Sequence, residues 1–159
     1  MSIAETTDLW GQDIALDASS TGLGQALVSA AGELVLTDGV DTGVQDIRCR
    51  IFTRLGGLFY DENFGSLIHD WILEENTAAN RLGLEAELTT RVELDPRVTV
   101  GSVSAATLRW DEVSLVAQVT WEFIGEDQPF NLVLQYNKST KELVIDDVAP
   151  ARFAIQQSI

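Results

Sequence analysis

The hydrophobic positions change their period twice along the chain. The first forty residues hold short extended pieces. Asp13-Ile14-Ala15-Leu16 alternates polar and apolar, while Ala26-Leu27-Val28 and Glu33-Leu34-Val35-Leu36 flank Ala30-Ala31-Gly32 as the two sides of a hairpin. Gly22, Gly24 and the serines between Ala18 and Thr21 mark a flexible connection. A helical period follows. Val44, Ile47, Ile51 and Leu55 form one helix face, opened by a capping box at Thr42-x-x-Gln45 or by Asp41, and stopped by Gly56-Gly57. Leu67, Ile68, Trp71 and Ile72 predict a second, short helix that stops near Asn76. Leu84, Leu88 and Val92 predict a third over residues 77–94, closed by Pro96 because the residue before a proline avoids the α region.

Beyond Pro96 the period becomes two. Val98, Val100 and Val103 begin one strand, with Gly101 as a possible bulge. Val113, Leu115, Ala117, Val119, Trp121 and Phe123 alternate with Ser114, Gln118, Thr120 and Glu122 in the clearest strand of the chain. Phe130, Leu132, Leu134 and Tyr136 repeat the pattern after the turn Gly125-Glu126-Asp127-Gln128, and a weaker strand follows at residues 142–145. The product is an α+β fold: three helices packed on a small antiparallel β-meander, with extended N- and C-terminal arms. The chain divides into an acidic arm and hairpin (1–40), a core domain (41–137) and a C-terminal strand and tail containing Pro150 (138–159). No internal repeat or low-complexity tract interrupts it.

Charge changes this picture in one respect. The 159 residues are 45% hydrophobic, which suits one domain with its own core, but 25 acids against 10 bases give a net charge of −15. Residues 1–46 carry eight acids and no base, residues 47–110 nine acids against seven arginines, and residues 111–159 eight acids against three bases. The centre is nearly balanced and the excess lies toward the two ends. Such a chain has little with which to displace counterions from nucleic-acid phosphates or to seek an anionic membrane. A basic protein partner, or simple solubility, is the expected use of the charge. With one cysteine there is no internal disulfide, and with one histidine no two-histidine zinc site. No apolar run approaches the roughly 20 residues that span a bilayer. The N-terminal ten residues have two acids and no base, the wrong sign for a secretory signal, so the expected protein is soluble and made in the cytosol.

Little else suggests catalysis. No phosphate-binding loop, dinucleotide fingerprint, HExxH or GxSxG is present. His69 sits at a helical position with no nucleophile beside it, and reads as a surface or partly packed side chain. Cys49 lies between Arg48 and Arg50, which could lower its pKa, but it has no partner and reads as a bystander. Asp61-Glu62 and Glu74-Glu75 are the carboxylate pairs that glycoside hydrolysis would need, although any chain with 25 acids offers such pairs. Of Trp10, Trp71, Trp110 and Trp121, which could line a sugar cleft, Trp71 and Trp121 are better placed in the core.

The ordered stretch 46–67, reading Asp-Ile-Arg-Cys-Arg-Ile-Phe-Thr-Arg-Leu-Gly-Gly-Leu-Phe-Tyr-Asp-Glu-Asn-Phe-Gly-Ser-Leu, is more informative. A long helix, Asp95-Pro96-Arg97-Val98-Thr99-Val100 and alternating strands follow it. This order resembles the baseplate wedge and sheath-initiator family of contractile-tailed phages, a lysozyme-like wedge family shared with type VI secretion and related injection machines. Thr53, Gly56, Phe64-Gly65-Ser66-Leu67 and Asp95-Pro96-Arg97 occupy the places of that family's Thr-x-x-Gly, aromatic-Gly-Ser/Thr-Leu and Glu-Pro-Arg motifs. Asp8-Leu9-Trp10-Gly11-Gln12-Asp13-Ile14 looks more like the phage branch. The resemblance spans about residues 8–136, with Asp95 one methylene shorter than the usual Glu and Gly57 where Glu or Ser is frequent.

The resemblance implies a non-enzymatic scaffold in a hexameric ring around the tail tube or hub, below the first sheath ring. There an exposed sheet edge would take strands from the tail sheath protein by β-augmentation. It implies that Asp95, Pro96 and Arg97 dock on the helical core bundle of the baseplate wedge, arginine because its planar fork binds carboxylates or carbonyls bidentately. Thr53, Gly56, Gly65 and Ser66 would shape a structural turn. No cofactor or metal is implied, and the expected location is the virion tail baseplate, assembled in the bacterial host cytoplasm. The rival expectations are a tail-associated lysozyme-type glycoside hydrolase and an acidic DNA mimic; against the mimic, the acids are not spaced along one helix.

Overall fold

A computed structural model of the chain describes residues 10–16 and 25–147. Helices α1 (Val40–Phe52), α2 (Ile68–Trp71) and α3 (Ala78–Glu93) precede strands β1 (Ser104–Trp110), β2 (Ser114–Glu122), β3 (Pro129–Asn137) and β4 (Glu142–Asp147). The strands form one antiparallel sheet in the order β1-β2-β3-β4, the expected meander. Alternation decides its faces. Leu115, Ala117, Val119 and Trp121 of β2 are all fully buried, and opposite them stand Tyr136, Leu134, Leu132 and Phe130 of β3. The helices cover that face: Ile47 and Ile51 of α1, Ile68 of α2, and Leu84, Leu88 and Val92 of α3 all lie in the same core. Fully burying side chains of this size contributes roughly 1.5–3 kcal/mol each, which sets the sheet register.

Three details depart from the sequence reading. Helix α1 opens at Gly39, in the left-handed region at φ 57°, and not at a Thr42–Gln45 capping box. Thr42 and Gln45 are buried inside the helix because both hold residues of the N-terminal segment. Thr42 Oγ1 meets the Gly11 carbonyl and Thr37 Oγ1, at 3.2 and 2.9 Å. Gln45 donates Nε2 to Ile14 O (2.9 Å) and accepts Leu16 N–H at Oε1 (3.0 Å), so its amide pairs with the segment as a neighbouring strand would. Second, α1 ends at Phe52, so Leu55 lies outside it; the Thr53 hydroxyl and N–H both turn back onto Cys49 O. Third, the first strand begins at Ser104. Val98 makes only a single bridge to Phe123, and Val100 is 97% exposed in a turn where Gly101 takes φ 80°. The bulge falls between Thr107 and Arg109 instead.

The hairpin expected around Ala30-Ala31-Gly32 is present, with Ser29 N–H on Glu33 O and a bridge between Val28 and Leu34. It closes with residues 14–16 into a triangle of backbone bonds: Ala15 N to Val35 O, Val35 N to Leu27 O, and Leu27 N to Ala15 O. Trp71 is half-buried and lies on α3 at Gly83, where any Cβ would come within 2.4 Å of its ring. Residues 1–9, 17–24 and 148–159, which carry the expected flexible connection and part of both extended arms, lie outside the described residues.

Candidate functional site

Asp95, Pro96 and Arg97 follow directly on α3. The Asp95 side chain is 3% exposed and that of Arg97 19%. Arg97 Nε and Nη2 grip the two oxygens of Asp95 at 2.9 and 2.7 Å, the bidentate pairing that suits a guanidinium. Nη2 also reaches Asp46 of α1 at 2.7 Å, and Nη1 the Trp10 carbonyl at 3.2 Å. A guanidinium has five N–H donors, so four of them are committed within the chain. The hydrogen bond to Asp95, with a second to Asp46, holds Arg97 more firmly protonated than an ordinary arginine, against the opposing cost of burial. The triplet thus ties three distant parts together: α1, the start of the sheet, and Trp10, which is buried edge-on against Phe123 at 5.0 Å. Pro96 stands exposed at the tip, with Leu94 and Val100 exposed nearby in sequence.

The other motif residues gather around the loop that leaves α1. Gly65 has φ 130°, and a Cβ there would lie 2.7 Å from Thr53 O, so no other residue fits without a backbone shift. Ser66 is fully buried, with Oγ donating to Ile51 O, N–H to Thr53 O at 2.8 Å, and its carbonyl accepting Leu55 N–H. Gly56, at φ 80°, donates to Glu62 O across the loop. Thr53, Gly56, Gly65 and Ser66 therefore close one turn, and its far end carries Phe59 and Tyr60, 92% and 72% exposed and packed edge to face.

The two sheet edges differ. On β1 the bulge interrupts the ladder, and Thr107 N–H is taken by Glu85 Oε1 of α3 at 2.8 Å. On β4 six consecutive residues pair with β3 without a shift in register. Among the described residues no backbone hydrogen bond is made on the outer side of β4. Neither Glu85 nor Asp46 stands out in the sequence, because their partners lie 22 and 51 residues away.

The residues considered for catalysis are dispersed. Burial pushes the Cys49 thiol up to about 11, outweighing the lowering by Arg48 expected from its neighbours. His69 Nε2 lies 2.6 Å from the Phe52 carbonyl, which can only accept, so that nitrogen carries a proton and serves to hold α2 against α1. Asp61, Glu62, Glu74 and Glu75 are all exposed to water. Trp121 is fully buried, and Trp10 and Trp110 are buried as well. Among the described residues no group of three His, Cys, Asp or Glu side chains could hold a metal ion.

No protein-family model matches the chain, and no curated protein matches it. A solved structure from Geobacter sulfurreducens, described as a "putative tail lysozyme", is similar to it with a TM-score of 0.51 and 23% identity. The match covers 72% of this chain and 96% of that one. At that identity the likeness is one of fold.

Proposed function

We propose that the chain is a non-enzymatic structural protein of a contractile phage tail. In this reading it sits in the baseplate as sheath initiator, offers the first ring of sheath subunits a strand edge to pair with, and docks on the wedge core. The observation that carries the reading is the asymmetry of the meander. One edge is bulged and capped by Glu85, whereas β4 is regular and open on its outer side among the described residues. Natural sheets usually blunt both edges, and a regular open one is a template for another chain. Glu142, exposed at the start of β4, suits a basic incoming strand or sheath surface. The motif resemblance and the fold shared with a protein named for a tail point the same way.

The Asp95-Pro96-Arg97 turn enters this reading in a changed role. Since its carboxylate and most of its guanidinium donors are spent internally, we propose that it shapes the contact with the wedge core. Pro96 and its exposed neighbours Leu94 and Val100 would make that contact. The test of the whole reading is co-expression with the tail sheath protein. Sheaths of regular length should form only with the chain present; equal assembly and length without it would contradict the proposal. The hydrolase alternative draws on the neighbour's name. Its candidate pairs, Asp61-Glu62 and Glu74-Glu75, are all exposed to water. It requires cell-wall lysis that disappears on replacing Asp61 or Glu62.

A further inference from the structure

A cleft of about 560 Å³ opens between the end of α1, α2 and the β3–β4 turn. Among the described residues its lining holds Arg54, His69, Lys138 and Lys141 and no acid, in a chain whose net charge is −15. Lys138 and Lys141 are the only lysines in the sequence, and His69 the only histidine. Neither lysine makes an ion pair among the described residues. Arg54 meets Asp70 at 3.5 Å, an exposed contact that an incoming carboxylate could exchange at little cost. Lys138 also borders a shallower cleft that carries Glu75, Asp111 and Glu112, so the cationic ground ends sharply on that side. Between the cations the floor is apolar, with Phe52, Tyr136 and Leu73, the last 73% exposed. Lys141 sits in the left-handed region at φ 60°, the one non-glycine to do so among the described residues. Glycine would be favoured there by roughly 1–2 kcal/mol, so the chain carries a strained backbone with its amine at the cleft.

We propose that this cleft docks an acidic peptide segment of a partner chain, with a bulky apolar side chain seated on the floor and flanking carboxylates held by Lys138, Lys141 and Arg54. A small inorganic anion would engage the rim and leave the floor bare. A nucleic-acid strand would have to run from three cations onto acidic surface, where its phosphates are repelled. A cleft of this volume, apolar with a few convergent charges, has the dimensions of a site for one or two side chains. The cleft takes Leu143 from β4 and both lysines from the turn before it, but its occupant does not depend on the sheath-initiator reading.

The probe is a fluorescein-labelled peptide with one phenylalanine between short runs of glutamate, titrated with the full chain and followed by anisotropy. It should bind, and bind more weakly as salt is raised. K138E/K141E, at a half-buried and an exposed turn position, should fold with unchanged thermal unfolding and lose at least about tenfold in affinity. L73S should lose a comparable amount, as should a peptide with serine in place of phenylalanine. Equal binding by the double variant or by the serine peptide would overturn the proposal. So would displacement of the probe by inorganic phosphate or by a single-stranded oligonucleotide at equal charge concentration. A dimer of the wild-type chain that K138E/K141E abolishes would assign the cleft to a second copy, and would overturn it too.

Discussion

Arg97 commits four of its five donors to Asp95, Asp46 and the Trp10 carbonyl. Its pairing with Asp95, two residues away, follows from the sequence, because an acid and an arginine astride a proline bend are brought face to face. Asp46 and the Trp10 carbonyl could not be foreseen: they lie 51 and 87 residues distant, and nothing local says which of eight arginines they meet. Arg97→Ala should destabilise the protein by about 2–4 kcal/mol. Most of that arises at Asp95, whose side chain is 3% exposed and cannot be rehydrated, and less at Asp46, which is 38% exposed. Chemical denaturation measures this, and wild-type stability in the variant would remove the clamp from the account. The arginine pKa is raised, so the arginine stays charged below its ordinary value and its own titration weakens the clamp only as pH rises beyond it. Asp111 behaves in the opposite sense. Hydrogen bonds from Ser114 N–H, Arg109 and Val113 N–H lower its carboxyl to about 2. Its contribution is therefore present above about pH 4 and is lost as pH falls through about 2. Asp111→Asn should flatten that part of the melting temperature against pH, and an unchanged profile would contradict the assignment.

At the scale of elements, periodicity carried most of the information. Helix α3 and strands β2 and β3 fall where their spacing places them, because one whole face of each is buried. The entry to α1 departs from the local pattern for a physical reason: Thr42 and Gln45 are good capping residues, but tertiary contact outranks a local cap. Gln45 spends its amide on the backbone of residues 14 and 16, which a local pattern cannot encode. Gln45→Leu should cost about 1–3 kcal/mol and speed exchange of the Leu16 amide, read by hydrogen exchange, since the strand groups lose both partners. The packing of α2 on α3 rests on a similar hidden fit. Gly83→Ala gains about 1 kcal/mol of helix propensity, yet its Cβ would stand 2.4 Å from the Trp71 ring. Overpacking of that kind costs about 1–3 kcal/mol, so the variant should melt lower. A higher melting temperature would mean that Trp71 swings aside freely.

For the whole molecule, the uneven charge organises the surface more than its total suggests. The acidic excess lies outside the central helices, while the lysines converge on one cleft, a concentration that the count of ten bases conceals. The fold class was legible because helical and alternating periods are local patterns. The capped β1 edge and the cationic cleft were not, because each is made by residues far apart in the chain. The central claim concerns β4, and hydrogen–deuterium exchange tests it most directly. Amide exchange over 142–147 would be followed on the chain alone and after mixing with the tail sheath protein. The account predicts slowing of about tenfold or more across β4, with β1 unchanged. Unaltered exchange in β4 while the two proteins remain bound, or protection confined to β1, would contradict it.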